Sequence, residues 1–146
     1  VEEIRAASPK VTVREAVGDE VAGGRRPAFA VARPGEAPRV HFAGLPLGHE
    51  FASLILALLQ VSGYPPKVPE HLLDQAKNRD EPLAFEVYVS LSCHNCPEVV
   101  QAANTMAAVN PKVTAVMIER TASGEWPMMR RARSRAVGIS SSWATT

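Results

Sequence analysis

The order of apolar and polar residues along the chain predicts strands followed by helices. Alternating β-branched and polar residues predict a strand at about residues 10–15. Two short apolar runs, 28–32 and 40–43, predict further strands that pair as a hairpin across a proline-containing turn. Residues 51–61 have helical length and are apolar nearly all round, which predicts a helix buried on most of its faces.

A short amphipathic helix is predicted to close this first half of the chain. Residues 70–78 carry leucine and alanine on one stripe, and Pro69 suits the first helical position. The charged stretch 77–81, followed by Pro82, ends this helix. We place a domain boundary there.

The second half has the order strand, CxxC, helix, strand. Residues 83–90 form the strongest strand pattern in the chain and lead directly into Cys93-His94-Asn95-Cys96. Apolar residues at three- and four-residue spacings then predict a helix up to Val109, and 112–119 predict another strand. A CxxC in this βαβ context is typical of thioredoxin-like redox motifs.

Composition and charge exclude several classes of function. The 146 residues carry 16 Lys and Arg against 15 Asp and Glu, so the basic surplus typical of nucleic-acid binding is missing. The longest near-apolar run, 51–61, is too short to cross a bilayer, which needs about 20 residues. The start of the chain is acidic and lacks the apolar segment of a signal peptide, so we expect a cytoplasmic location.

The CxxC supplies what thiol–disulfide exchange requires. Cys93 precedes a helix, whose free amide groups and positive dipole end favour the thiolate over the thiol. Cys96 lies one turn further on and can release a mixed disulfide. His94 between them adds positive charge in the same direction.

Two other interpretations of the cysteines stay open. A static bridge needs no further residues, and a zinc site needs four ligands. The four histidines of the chain, His41, His49, His71 and His94, do not provide the second pair of a zinc finger at the usual spacing. Redox chemistry is therefore the leading interpretation.

Two carboxylates near the predicted site have ordinary explanations. Glu50 precedes a helix, where a carboxylate favours the helix dipole, and His49 is interpreted as a cap or a surface residue. Glu86 lies in the strand before the CxxC, and we expect it to face solvent.

Two blocks of sequence carry a resemblance to a known family. The segments 42–51, which reads Phe-Ala-Gly-Leu-Pro-Leu-Gly-His-Glu-Phe, and 90–102, which contains the CxxC, resemble the N-terminal domain of the F subunit of alkyl hydroperoxide reductase. The similarity runs from about residue 4 to residue 119. It implies an α/β fold of two thioredoxin-like folds in tandem, of which only the second keeps the CxxC.

The resemblance also implies roles. Cys93 is then the attacking thiol, Cys96 the resolving thiol, and Glu50 the first-fold carboxylate that lies against the CxxC and assists its protonation. Pro27 corresponds to a cis-proline. Electrons are implied to come from NADH through FAD on a flavoprotein disulfide reductase portion, and to pass to a peroxiredoxin subunit. This chain has no Gly-rich dinucleotide fingerprint, so no cofactor is expected to bind here.

The chain departs from the family pattern at both ends. The first fold, 1–80, is expected to lack its opening strand and helix, and the second, 83–146, to be incomplete. Residues 120–146 hold five arginines and one acid without a clear pattern, so we expect weak order there. Ala136–Ile139 lacks the proline that the family places near the disulfide.

Such a tail is what a shifted reading frame produces, a hypothesis that the coding DNA read in another frame would test. A freestanding thioredoxin-like or glutaredoxin-like reductant, an inactive truncated product and a metal-binding module remain alternative interpretations.

Overall fold

Four strands form one mixed sheet in the order β1-β2-β4-β3. The strands are β1 Ala28–Val31, β2 Val40–Ala43, β3 Leu83–Val89 and β4 Val113–Glu119. β1 pairs with β2 in an antiparallel hairpin, whereas β2 and β3 both run parallel to β4. The structure is a computed structural model that describes residues 2–16 and 21–120.

Helices cover one face of this sheet. They are α1 Glu2–Ala7, α2 Phe51–Val61, α3 Glu70–Lys77 and α4 Cys96–Val109. The main core lies between the sheet and helices α2 and α4, with Phe42 and Met117 from the strands packed among Leu54, Ala57 and Val100. α4 connects β3 to the parallel strand β4, as the strand–CxxC–helix–strand pattern predicted.

Most of the predicted elements are confirmed, with one clear error. The strands predicted at 28–32, 40–43, 83–90 and 112–119 are all present, as are the helices after them. The strand predicted at about 10–15 is wrong, because residues 11–16 have no regular secondary structure. Alternation favours a strand only where a neighbouring strand can pair with it, and no described strand pairs with this segment. The short helix α1 was not predicted.

The expectation that α2 is buried on most faces is also wrong. Only Ser53, Leu54 and Ala57 are buried in this helix, while Phe51 and Leu59 are 49% and 41% exposed. One face of α2 packs on the sheet and α4, and the others lie beside a groove of about 1120 Å³ that opens toward α3. No helix in residues 2–16 or 21–120 is both long and apolar enough to span a membrane.

One sheet crosses the predicted domain boundary. β2 belongs to the first predicted half and β4 to the second, yet Val40–Ala43 pairs directly with Ala115–Ile118. The division at 80–83 and the tandem arrangement of two thioredoxin-like folds remain predictions, since this sheet is compatible with two folds that share strands. The predictions for 121–146, including weak order, lie outside the described residues.

Close approach at one sheet edge depends on glycine. Gly44 follows β2 with a φ of +101°, a region that favours glycine. A Cβ placed on Gly44 would overlap the Cβ of Glu119 at the end of β4. The ends of β2 and β4 are therefore held together more closely than another residue would permit.

Asn110 connects three segments behind the sheet. Its side chain is 1% exposed, and its amide nitrogen donates to the carbonyl oxygens of Ala76 at 2.8 Å and Arg79 at 2.9 Å. Its carbonyl oxygen accepts from the backbone N–H of Lys112 at 2.8 Å. This side chain holds the end of α3 against the turn between α4 and β4.

We expect Asn110→Ala to lower the free energy of unfolding by about 2–4 kcal/mol, because it removes these bonds and leaves buried backbone groups without partners. Urea denaturation followed by circular dichroism measures the loss. Asn78→Ala, at an exposed position, is the control and should change stability by less than about 0.5 kcal/mol. Equal effects of the two substitutions would contradict this role for Asn110.

His41 is buried on the sheet face opposite the main core. Its Nε2–H donates to the carbonyl of Pro38 at 3.1 Å, and its Nδ1 accepts from the N–H of Ala22 at 3.4 Å. These two partners fix a neutral imidazole, since a proton on Nδ1 would abolish the bond from Ala22. Burial lowers the pKa of His41, against an opposing effect of the Pro38 bond.

A lowered pKa means that the unfolded chain binds a proton that the folded chain excludes. Stability from His41 is therefore complete above the unfolded pKa of about 6.5 and is lost as pH falls below it. We expect His41→Gln to flatten the fall in unfolding free energy between about pH 7 and pH 5, a fall of at most about 1.4 kcal/mol per pH unit. Denaturant titrations across this interval test it, and identical slopes in both proteins would contradict it.

Candidate functional site

The CxxC occupies the turn between β3 and α4. β3 ends at Val89, and the turn is closed by a hydrogen bond of 2.9 Å from the N–H of Cys93 to the carbonyl of Ser90. α4 begins at Cys96, with Pro97 in its first turn, where a missing N–H costs no helical bond. The side chain of Asn95 does not cap the helix, so it does not occupy the first amide groups of α4.

The two cysteines form a disulfide. The Cα atoms of Cys93 and Cys96 lie 5.5 Å apart, within the usual range for this bond. Both side chains are half-buried, and Cys96 packs against the main core. Cys93 lies before the helix and Cys96 within it, so the predicted placement of the pair at the amino end of α4 is confirmed.

A second segment lies against the CxxC turn. Gly48–Glu50 forms one turn of 3-10 helix directly before α2, and a Cβ on Gly48 would lie 3.5 Å from the carbonyl oxygen of Leu91. The ring centroids of His49 and His94 are 4.5 Å apart, with the ring planes tilted by 45°. Two blocks that are far apart in sequence thus meet at the CxxC.

Glu50 is a fully buried carboxylate in this second segment. Its Oε2 accepts a hydrogen bond of 2.8 Å from the hydroxyl of Ser53, while Oε1 has no partner among the described residues. Burial raises the pKa of Glu50, and the Ser53 bond and the charge of His49 oppose that rise. A carboxyl group in this setting is suited to exchange a proton nearer neutral pH than an exposed one.

Two residues beside Glu50 were not identified from the sequence. Ser53 is a polar residue on an apolar helix, three positions after Glu50, and this spacing was a usable signal. Gln101 on α4 makes a long contact of 3.5 Å from its amide nitrogen to the Ser53 hydroxyl. Nothing in the sequence around Gln101 points to this contact, which joins residues 48 positions apart.

Glu86 does not belong to this site. Its carboxylate is about half exposed, pairs with Arg25 at 3.1 Å and accepts a bond of 3.0 Å from the Tyr88 hydroxyl. The expectation that Glu86 faces solvent is confirmed. The peptide bond between Arg26 and Pro27 is cis, as the resemblance implies.

Metal ligation was the other interpretation of the cysteines. In the part of the chain that the structure describes, no group of three or more His, Cys, Asp or Glu side chains is placed to hold a metal ion.

Comparisons with known proteins extend these observations. No model of a protein family matches the chain. A Bacillus subtilis protein named NADH dehydrogenase is 51% identical over 122 residues, which cover 84% of this chain and 23% of that protein. The F subunit of alkyl hydroperoxide reductase from Staphylococcus epidermidis is 54% identical over 95 residues, covering 65% of this chain and 19% of that protein. The chain thus spans about a fifth of the length of the curated relatives it matches.

Solved structures show the same similarity. A mutant of the F subunit of alkylhydroperoxide reductase from Enterococcus faecalis has a TM-score of 0.61 and 33% identity, over 66% of this chain and 47% of that one. A crystal structure of the NTD_N/C domain of the same reductase also has a TM-score of 0.61, with 32% identity over the same shares. The resemblance found in the sequence is confirmed: this chain is a homologue of the N-terminal domain of the F subunit of alkyl hydroperoxide reductase.

Proposed function

We propose that this chain is a thiol–disulfide oxidoreductase that passes electrons from a flavoprotein disulfide reductase module to a peroxiredoxin, within the alkyl hydroperoxide reductase system. The observation that carries the proposal is the Cys93–Cys96 disulfide at the amino end of α4. The 54% identity to a protein named as the F subunit of alkyl hydroperoxide reductase supports the assignment to this system.

The exchange reaction begins at Cys93. In the reduced protein its thiolate attacks one sulfur of the partner's disulfide, and the other partner sulfur leaves as a thiolate. The position of Cys93 before α4 favours this thiolate, because the free amide groups and the dipole of the helix stabilise negative charge. Access to a partner is consistent with a half-buried cysteine in a surface turn.

Cys96 completes the exchange. Its thiol loses a proton and attacks the sulfur of Cys93, which breaks the mixed disulfide and releases the second partner thiolate. Two electrons leave the Cys93–Cys96 pair, the partner's disulfide becomes a dithiol, and two protons follow the electrons. We assign Glu50 as the group that accepts the proton of the resolving thiol, because it is the buried carboxylate of the segment that lies against the CxxC.

The remaining parts of the proposal follow from the homology. FAD and NADH would bind on a flavoprotein portion, not on this chain, and the disulfide would be reduced again by the CxxC of that portion. Two thioredoxin-like folds, at 1–80 and 83–146, would share the sheet seen here. A cytoplasmic location suits such a redox partner, because reduced dithiols persist there.

We expect Cys93→Ser to abolish transfer of electrons to a peroxiredoxin, because the attacking sulfur is absent. Cys96→Ser should instead accumulate a covalent complex with the peroxiredoxin, because the mixed disulfide cannot be resolved. Stopped-flow reduction assays measure the first effect, and non-reducing electrophoresis with mass spectrometry measures the second.

The cysteine assignment is wrong if Cys93→Ser still reduces the peroxiredoxin. Comparing alkyl hydroperoxide reductase flavoprotein with thioredoxin reductase as the electron source separates the proposal from a freestanding thioredoxin-like reductant. A broad unfolding transition without exchange activity would indicate an inactive product instead.

Glu50→Gln should have opposite effects on activity and on stability. Resolution of the mixed disulfide at pH 7 should slow by roughly 100-fold, the lower end of typical general acid–base contributions. Because the pKa of Glu50 is raised, ionisation in the folded chain costs stability as pH rises through that pKa. The glutamine variant should therefore be more stable than the parent at pH 7, and equally stable below about pH 4, where both unfolded and folded carboxyls are protonated.

Single-turnover kinetics and urea denaturation measure the two effects. Glu70→Gln, which alters an exposed carboxylate at the start of α3, is the matched control and should leave both quantities unchanged. An unaltered resolution rate in Glu50→Gln would remove Glu50 from the mechanism.

A further inference from the structure

The contact between His49 and His94 has no function in the core. Both rings are exposed to solvent, yet their centroids are only 4.5 Å apart. His94 belongs to the CxxC turn, and His49 comes from the 3-10 turn before α2. Exposed polar rings gain little from packing, so the hydrophobic effect does not account for their approach.

The ionisable groups around this pair can be named. Glu50 is next to His49 on the same turn, and Glu98 lies in the first turn of α4. Cys93 and Cys96 flank His94 on the CxxC turn. α2, which also packs against the Gly48–Glu50 turn, carries no ionisable side chain. Two acids and the cysteine pair therefore surround two imidazoles.

Electrostatics limits the charge that the two rings hold together. Two imidazolium ions at this distance repel each other, so a second proton binds less readily than the first. One protonated ring can be stabilised by the face of the neutral ring beside it. A single positive charge on the pair would lie beside Cys93 and favour its thiolate, in addition to the helix dipole.

We propose that His49 is a positioning residue for the redox centre, which holds the ring of His94 beside the cysteines and shares one positive charge with it. The inference rests on the proposed function, since it concerns the reactivity of the same dithiol. The shared proton is not consumed in the exchange. It stabilises the thiolate that Cys93 uses for attack, and the electrons and protons balance as in the exchange described above.

The test measures how fast iodoacetamide alkylates Cys93 as pH is varied, in the reduced 146-residue chain carrying Cys96→Ser. Adding His49→Gln should lower the alkylation rate at pH 7 by about three- to tenfold and move the midpoint of the pH profile upward by about half a unit to one unit. His71→Gln, on an exposed histidine of α3, is the matched control and should change neither quantity.

Two further variants separate shared charge from ring contact and from independent effects. His49→Phe keeps a ring against His94 but cannot carry the proton, so it should resemble His49→Gln. The double variant His49→Gln with His94→Gln should lose little more than His94→Gln alone. A parental profile in His49→Phe, or additive losses in the double variant, would overturn the inference.

The outcome for His49 is independent of the outcome for the proposed function. If the parental chain does not reduce a peroxiredoxin, the proposed function fails whatever the histidines do. If it does reduce the peroxiredoxin and His49→Gln keeps the parental pH profile, only the role of His49 fails. Far-UV circular dichroism and re-formation of the Cys93–Cys96 disulfide, measured without the Cys96 substitution, establish that the variants fold.

Discussion

The parallel pairing of β2 and β3 on either side of β4 is the constraint on which the site depends. Because both strands run in the same direction as β4, their carboxyl ends meet at one edge of the sheet. The segment after β2 contains His49 and Glu50, and the segment after β3 contains the CxxC. Two stretches separated by more than 40 residues are thus placed together by backbone hydrogen bonds, before any side chain at the site contributes.

Burial and exposure divide the tasks at this edge. Glu50 is fully enclosed and held by Ser53, so its environment opposes ionisation. The histidine pair and the disulfide lie nearer the solvent, where a partner can reach the sulfur atoms. A proton acceptor inside and a sulfur nucleophile outside is an arrangement suited to thiol exchange, because the thiolate must be accessible while the proton is handled away from bulk water.

Much of the fold followed from the sequence because its strands and helices carry strong periodic patterns. The strand into Cys93 and the helix after it were predictable for this reason, whereas the alternating residues at 10–15 misled because no strand lies beside them. The near-uniform apolar pattern of 51–61 also could not indicate which face would stay uncovered. Glu50 was singled out by resemblance alone. Its contacts to Ser53 and Gln101, and the meeting of His49 with His94, depend on the packing of α2 and α4, which a local pattern does not encode.

Gly44 gives this edge its limited tolerance to change. It stands between β2 and the segment that carries Glu50, and its missing side chain lets the backbone pass directly over Glu119. Every other amino acid would bring a carbon atom into that space and push the strand ends apart. The separation of the two redox segments is therefore set by a single absent methyl-sized group, at a position with no chemistry of its own.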